Sequence, residues 1–233
     1  MNDFKHEIET LYAKSNPEET IRQHTDNLKK QAELLKKFGY IQDENLYQDL
    51  LMSCEYHDYG KMNDKFQQRL KSKRRMSNDE IPHNVLSAYF IEKEKCHKYE
   101  NVFFSVLYHH VYGESPYDYT RSNTDKIEEE LRNIFREDFQ CKIKQHKKGI
   151  RSVQKTINKK TVEKKEFILL KGFLHKCDYS ASAGIDCEMK NDFLDKTLQQ
   201  WQKTVHIQYN ALQKFCLENR EKNLIVTAPT RMG

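Results

Sequence analysis

The chain has 233 residues, enough for one large or two modest domains. Its 37% apolar and 32% charged content, with only 7 Gly and 4 Pro, fits a soluble, helix-rich globule and excludes a turn-dense all-β fold. The net charge of +5 is mild, no apolar run approaches the ~20 residues that span a bilayer, and the opening Met1-Asn2-Asp3-Phe4-Lys5 lacks a signal-peptide pattern. The six cysteines include no C-x-x-C pair and read as reduced thiols of a cytoplasmic protein.

In chain order, the first clear helix is expected from Pro17 to Phe38, capped by Ser15 or Asn16 and stopped by Gly39. Ile21, Leu28, Ala32 and Leu35 form its buried stripe, and His24 falls on the same face. A second helix from Asp43 carries Leu46, Leu50, Cys54 and His57 at inward spacing and stops near Gly60. It delivers the stretch Tyr56-His57-Asp58-Tyr59-Gly60-Lys61. An imidazole and a carboxylate there can share a divalent cation, the Gly lets the backbone turn away, and Lys61 can meet a phosphate.

Met62 to Leu70 reads as a short helix, followed by a basic loop, Lys71 to Asn78, in which Lys73, Arg74 and Arg75 are candidate contacts to a nucleic-acid backbone. A helix from Pro82 to about Lys95 places His83 inward with Leu86, Ser87 and Phe90. Another, Asn101 to Val111, aligns Phe103, Val106 and His110 with His109 beside them. Two adjacent imidazoles need something polar to meet, and a metal can meet both; otherwise one is buried and the other wet. A polar, aromatic loop is expected over Gly113 to Asn123, then an amphipathic helix from Asp125 to about Cys141.

Lys142 to Lys165 is dominated by Lys and Arg, with Glu163 as its single acid. Such a run is either solvated surface or an electrostatic footprint on nucleic acid. The next helix, from about Thr161, aligns Phe167, Leu170, Leu174, Asp178 and Ala181. A carboxylate on that apolar stripe is costly unless paired or metal-bound. Phe193 to Leu217 reads as helix around Trp201, and Asn223 to Gly233 as a buried strand running into a phosphate loop, with Ala228 and Gly233 in its first and sixth positions. The essential Lys of that loop does not occur in this sequence, so the tail reads as a helicase fragment without ATP binding.

Together, His24, His57, Asp58, His83, His109, His110 and Asp178 come from inward or helix-end positions. So many polar groups inside a helical bundle carry a large desolvation cost without cations. Nitrogen and oxygen donors without thiolate suit Mn, Fe, Co, Ni or Mg, and the set suffices for two ions about 3.5–4 Å apart with Asp58 as the bridge. Asp58 and Lys61 are the candidate catalytic pair, Lys61 stabilising developing negative charge.

The ordered pattern His24, His57-Asp58-x-Gly-Lys61, Phe66-Gln67, His83-x-x-x-Ser87-Ala88, His109-His110 and Asp178-x-x-x-Ser182 resembles the HD superfamily. With the tail Ala228-Pro229-Thr230, it is most similar to the HD nuclease domain of the CRISPR-associated helicase–nuclease of type I systems. That resemblance implies an all-α HD bundle over residues 1–185, a helical linker over 186–222 and a truncated helicase start over 223–233. It further implies cleavage of single-stranded DNA in CRISPR interference, with one ion held by His24, His57, Asp58 and Asp178. The second ion falls to Asp58, His83, His109 and His110, with Ser182 and Lys61 near the phosphate. The implied partners are a crRNA-guided surveillance complex and the helicase domain of the same or a partner chain. An HD phosphohydrolase acting on nucleotides or cyclic nucleotides shares the metal chemistry, and a non-catalytic nucleic-acid-binding bundle shares the histidines.

Overall fold

The computed structural model describes residues 4–77, 79–110, 115–135, 165–189, 193–204, 209–219 and 221–227. Helix α1 (Lys5–Thr10) leads into a small antiparallel hairpin, β1 (Tyr12–Ser15) against β2 (Glu18–Thr20). Pro17 therefore lies in a hairpin turn instead of opening a helix, and α2 runs from Ile21 to Lys37. The reason is the capping box Thr20-x-x-Gln23. The Thr20 hydroxyl accepts from the Gln23 amide at 3.2 Å and the Gln23 side chain accepts from the Thr20 amide at 2.9 Å. That reciprocal pair satisfies two orphan donors where a lone cap at Ser15 or Asn16 would satisfy one. Ile21, Leu28, Ala32 and Leu35 are buried as the period predicts, and Gly39, at φ +79°, ends the run in the left-handed region.

Helix α3 (Glu44–Tyr56) starts on Asp43, whose carboxylate accepts from the Asn45 and Leu46 amides. It ends at Tyr56, earlier than expected, and His57 caps it. After Asp58 the chain makes a 3-10 turn, Tyr59–Met62. Gly60 lets this turn lie directly on helix α5 (His83–Ser87): a Cβ there would stand 2.1 Å from the His83 carbonyl oxygen. The Gly60 amide donates to the Ser87 hydroxyl at 2.8 Å, which fixes the contact.

Between them, α4 (Asp64–Ser72) is capped by Asn63 and buries Phe66 and Gln67. The Gln67 amide nitrogen donates to the carbonyls of Tyr12 (2.9 Å) and Lys61 (2.8 Å), and its oxygen accepts from the Tyr12 amide (3.2 Å). One side chain thus clamps the hairpin to the turn after α3.

The helix expected from Pro82 to Lys95 is broken: α5 is followed by 3-10 turns at Ala88–Phe90 and Lys93–Lys95. Residues 80–91 are buried on every side, so the segment is an internal plug with no half-wet face to impose a helical period. Helix α6 (Tyr99–Leu107) stops short of the His109-His110 doublet. Part of the expected loop at 113–123 is α7 (Pro116–Ser122), with Pro in its first turn, and α8 (Thr124–Phe135) follows. Residues 136–164 lie outside the described residues, and with them nearly all of the basic segment 142–165. Helix α9 (Lys165–Ala183) packs against α2, α3 and α6 and completes the core.

Contacts divide the chain into two units, Met1–Met189 and Lys190–Gly233. The second holds α10 (Phe193–Thr204) and α11 (Ala211–Glu218) where one continuous helix was expected. The box Asn210-x-x-Gln213 starts α11 afresh. The strand expected from Asn223 is not formed over 223–227, where no neighbouring strand is present among the described residues to pair with it; Ala228 to Gly233 lie outside the described residues. No described helix is long and apolar enough to cross a membrane.

Gly60→Ala tests the close approach of the turn to α5. Because the added methyl meets backbone, the expected cost is at the upper end of about 1–3 kcal/mol for overpacking, lowering Tm by roughly 5–10 °C. A thermal melt matching the wild type would show that the contact is looser than described.

Candidate metal centre

Five elements bring imidazoles and carboxylates to one buried point. His24 comes from the first turns of α2, His57 and Asp58 from the end of α3, His83 from the start of α5, the doublet from the turn after α6, and Asp178 from α9. Asp58 is 1% exposed and lies at the centre. Its Oδ2 is 3.4 Å from His57 Nε2 and 3.6 Å from His24 Nε2, while its Oδ1 is 3.4 Å from His83 Nε2 and 4.0 Å from His109 Nε2. Asp178 Oδ1 lies 3.1 Å from His24 Nε2. Ligand atoms of His24, His57 and Asp58 fall within 4.8 Å of one another, and so do those of His83, His109 and His110. The doublet works because the chain has already left the helix at Tyr108, so adjacent rings, 4.3 Å apart, both reach the cluster.

The ring nitrogens are sorted by their backbone partners. His57 Nδ1 donates to the Cys54 carbonyl at 2.9 Å and His109 Nδ1 to the Val106 carbonyl at 2.6 Å, since carbonyls only accept. Each bond places the proton on Nδ1 and, in the neutral ring, leaves the Nε2 lone pair facing Asp58. Both Nε2 atoms are buried without a hydrogen-bond partner among the described residues. A lone pair aimed at a carboxylate needs positive charge between them. Burial pushes the His109 and His83 imidazoles well below their ordinary range and keeps them neutral, so no proton supplies that charge there. For His57 burial acts in the same direction, but the Asp58 carboxylate outweighs it and raises the group. Burial pushes Asp58 up, yet His57 and Lys61 hold it well below the carboxylate range, and so ionised. The donor set fits a divalent cation on these observations: buried imidazole nitrogens, held by their backbone partners, converge on an ionised carboxylate.

Every expected ligand joins the cluster. Lys61 stands on Asp58, with its Nζ 2.7 Å from Oδ2, so it neutralises the buried carboxylate directly. Ser182 donates to Asp178 Oδ1 at 3.4 Å. Lys73, Arg74 and Arg75 are exposed on the segment after α4, and no described contact joins them to the centre. Sequence reasoning missed Glu19, whose carboxylate faces His24 Nδ1 at 3.4 Å, because the expected helix puts Glu19 in its first turn. It also gave Gln67 and Ser87 no role, although both fall in the motif; they tie the turn after α3 to its surroundings.

The family model described as Cas3, HD domain matches residues 10–184. No curated protein and no solved structure matches the chain.

If the cluster binds cations, adding Mn²⁺ to chelator-stripped protein raises Tm. At one hundred times Kd the stabilisation is about 2.7 kcal/mol, or roughly 5–10 °C for a chain of this size. EDTA reverses the shift and Asp58→Ala abolishes it; a wild-type melt indifferent to the ion would remove metal from the site.

Proposed function

This chain belongs to the Cas3 HD-domain family, and from that premise we propose that it cleaves single-stranded DNA at a two-metal site in type I CRISPR interference. Membership makes it a metal-dependent nuclease of CRISPR systems; the substrate and the number of ions are our reading. The observation that carries it is the division of Asp58, whose Oδ2 faces His24 and His57 while its Oδ1 faces His83 and His109. A carboxylate so placed suits a bridge between two cations. His24, His57, Asp58 and Asp178 would hold one, and Asp58, His83, His109 and His110 would hold the other. When bound, such ions polarise the scissile phosphate, lower the pKa of a coordinated water and clamp both oxygens of an in-line displacement.

The chain's own residues supply the rest. The Cys54 and Val106 carbonyls hold the Nδ1 protons of His57 and His109, so that these rings present the same face throughout. Ser182 donates to Asp178 and orients it. Lys61 has the most exposed side chain of those touching Asp58, at 13%. Its ammonium is the one best placed to turn toward a phosphodiester and stabilise the charge that develops on it. A crRNA-guided surveillance complex and a helicase domain, acting in the cytoplasm, deliver the strand. The exposed Lys73, Arg74 and Arg75 are available to its backbone, which carries no sequence information.

The test is digestion of a single-stranded oligonucleotide with Mn²⁺, with and without EDTA. Cleavage that requires the ion, leaves free nucleotides and cyclic nucleotides intact and is lost in Asp58→Ala supports the reading. Hydrolysis of nucleotides but not of the strand replaces it with a phosphohydrolase. Lys61→Ala is expected to slow cleavage about 10²–10³-fold, the usual cost of one charge-stabilising donor, with metal content by elemental analysis unchanged. Loss of bound metal in that variant would make Lys61 part of the ion site instead.

A further inference from the structure

His57 and His109 rest their Nδ1 atoms on backbone carbonyls, but His24 does not. It lies inside α2, where the neighbouring carbonyls are engaged by the helix. Its Nδ1 is buried and has no hydrogen-bond partner by strict geometry among the described residues. The group that faces it is the Glu19 carboxylate on β2, with Oε2 3.4 Å away. Glu19 is itself held from two sides: Asn27 Nδ2 donates to its Oε1 at 2.5 Å and Lys14 Nζ sits 2.6 Å from its Oε2. The hairpin that carries it is clamped to the Lys61 carbonyl through Gln67.

We propose that Glu19 is a positioning residue for the metal centre, its carboxylate accepting the His24 Nδ1 proton so that Nε2 is presented beside Asp58 and Asp178. This rests on the two-metal reading above. A carboxylate behind a metal-ligating histidine fixes the tautomer and ring orientation and raises the basicity of the donor nitrogen. A bland alternative, a hairpin ion pair with Lys14, does not account for the placement. A Lys–Glu ion pair does not require its acid to be buried, whereas Glu19 is only 8% exposed and faces the imidazole. The hairpin thereby gains a role in the centre, bringing an acid to a ligand that sits within a helix.

The experiment titrates chelator-stripped full chain with Mn²⁺ by calorimetry, comparing wild type, Glu19→Ala and Glu19→Gln, and records each apo melting curve. Glu19→Ala is expected to weaken one of two binding events about 10–100-fold and to leave the other near its wild-type Kd. Glu19→Gln, which keeps an acceptor oxygen but not the charge, is expected to fall between, with an apo Tm close to wild type. Should Glu19→Ala fail to fold, the Gln variant carries the comparison alone. Variants that bind both ions as tightly as wild type overturn the role of Glu19 and leave the nuclease reading standing. Lowered apo Tm with unchanged affinity also overturns it, since that marks a residue holding only the hairpin. A wild-type chain that takes up no ion overturns both.

Discussion

An ionised carboxylate sealed inside a helical bundle is the constraint to which the rest of the molecule answers. Asp58 has almost no contact with solvent, and a charge so buried costs several kcal/mol unless other charges and dipoles replace its water. Three of its partners are imidazoles arriving from separate elements, α2, α5 and the turn after α6, and a fourth is the adjacent His57. The core formed by α9 against α2, α3 and α6 holds them together, and the polar centre sits where the ends of those helices meet.

The framework that places them is made of short, specific contacts. The turn after Asp58 can lie against α5 only because residue 60 lacks a side chain, and that approach sets His83 opposite Asp58. Ser87 and Gln67 secure the two sides of the same turn through its backbone. Two histidines are then oriented by carbonyls of their own chain three residues earlier. Each device joins a side chain to a backbone group beside the cluster, which fixes the rings and the turn together.

How much of this is legible in the sequence follows from which physical signal each part depends on. The stripes of α2 and α9, including His24 and Asp178, follow helical periodicity because one face of each is wet and the other buried. The mostly helical bundle and the convergence of the candidate ligands are accordingly readable. The segment from 80 to 91 reads as one long helix and is not one, because burial all round removes the alternation on which periodic reading depends. The hairpin escapes for a different reason. Pro17 with Glu18 and Glu19 imitates a helix start, and only the reciprocal Thr20–Gln23 cap, just beyond them, decides against it. With the hairpin goes Glu19, whose relation to His24 depends on a tertiary position no local pattern encodes. His109 and His110 stand out as ligand candidates even on a helix drawn too long, since adjacency itself is the signal.

Lys61 offsets part of the charge that this centre buries. Its ammonium meets Asp58 at Oδ2, the same oxygen that is nearest to His24 and His57. At a separation of about 4 Å and an effective dielectric near 20, an opposite charge is worth about 4 kcal/mol, comparable to what burial of the carboxylate costs. The Lys61 side chain remains partly wet, so it offsets this charge without giving up all of its own hydration. The arrangement also makes the two halves of the centre unequal. On the Oδ1 side, toward His83 and His109, neutral imidazoles face the carboxylate with no ammonium at that oxygen among the described contacts. On the Oδ2 side, a cation would have to share its oxygen with Lys61. The same side chain that screens the Asp58 charge thus marks one half of the centre off from the other.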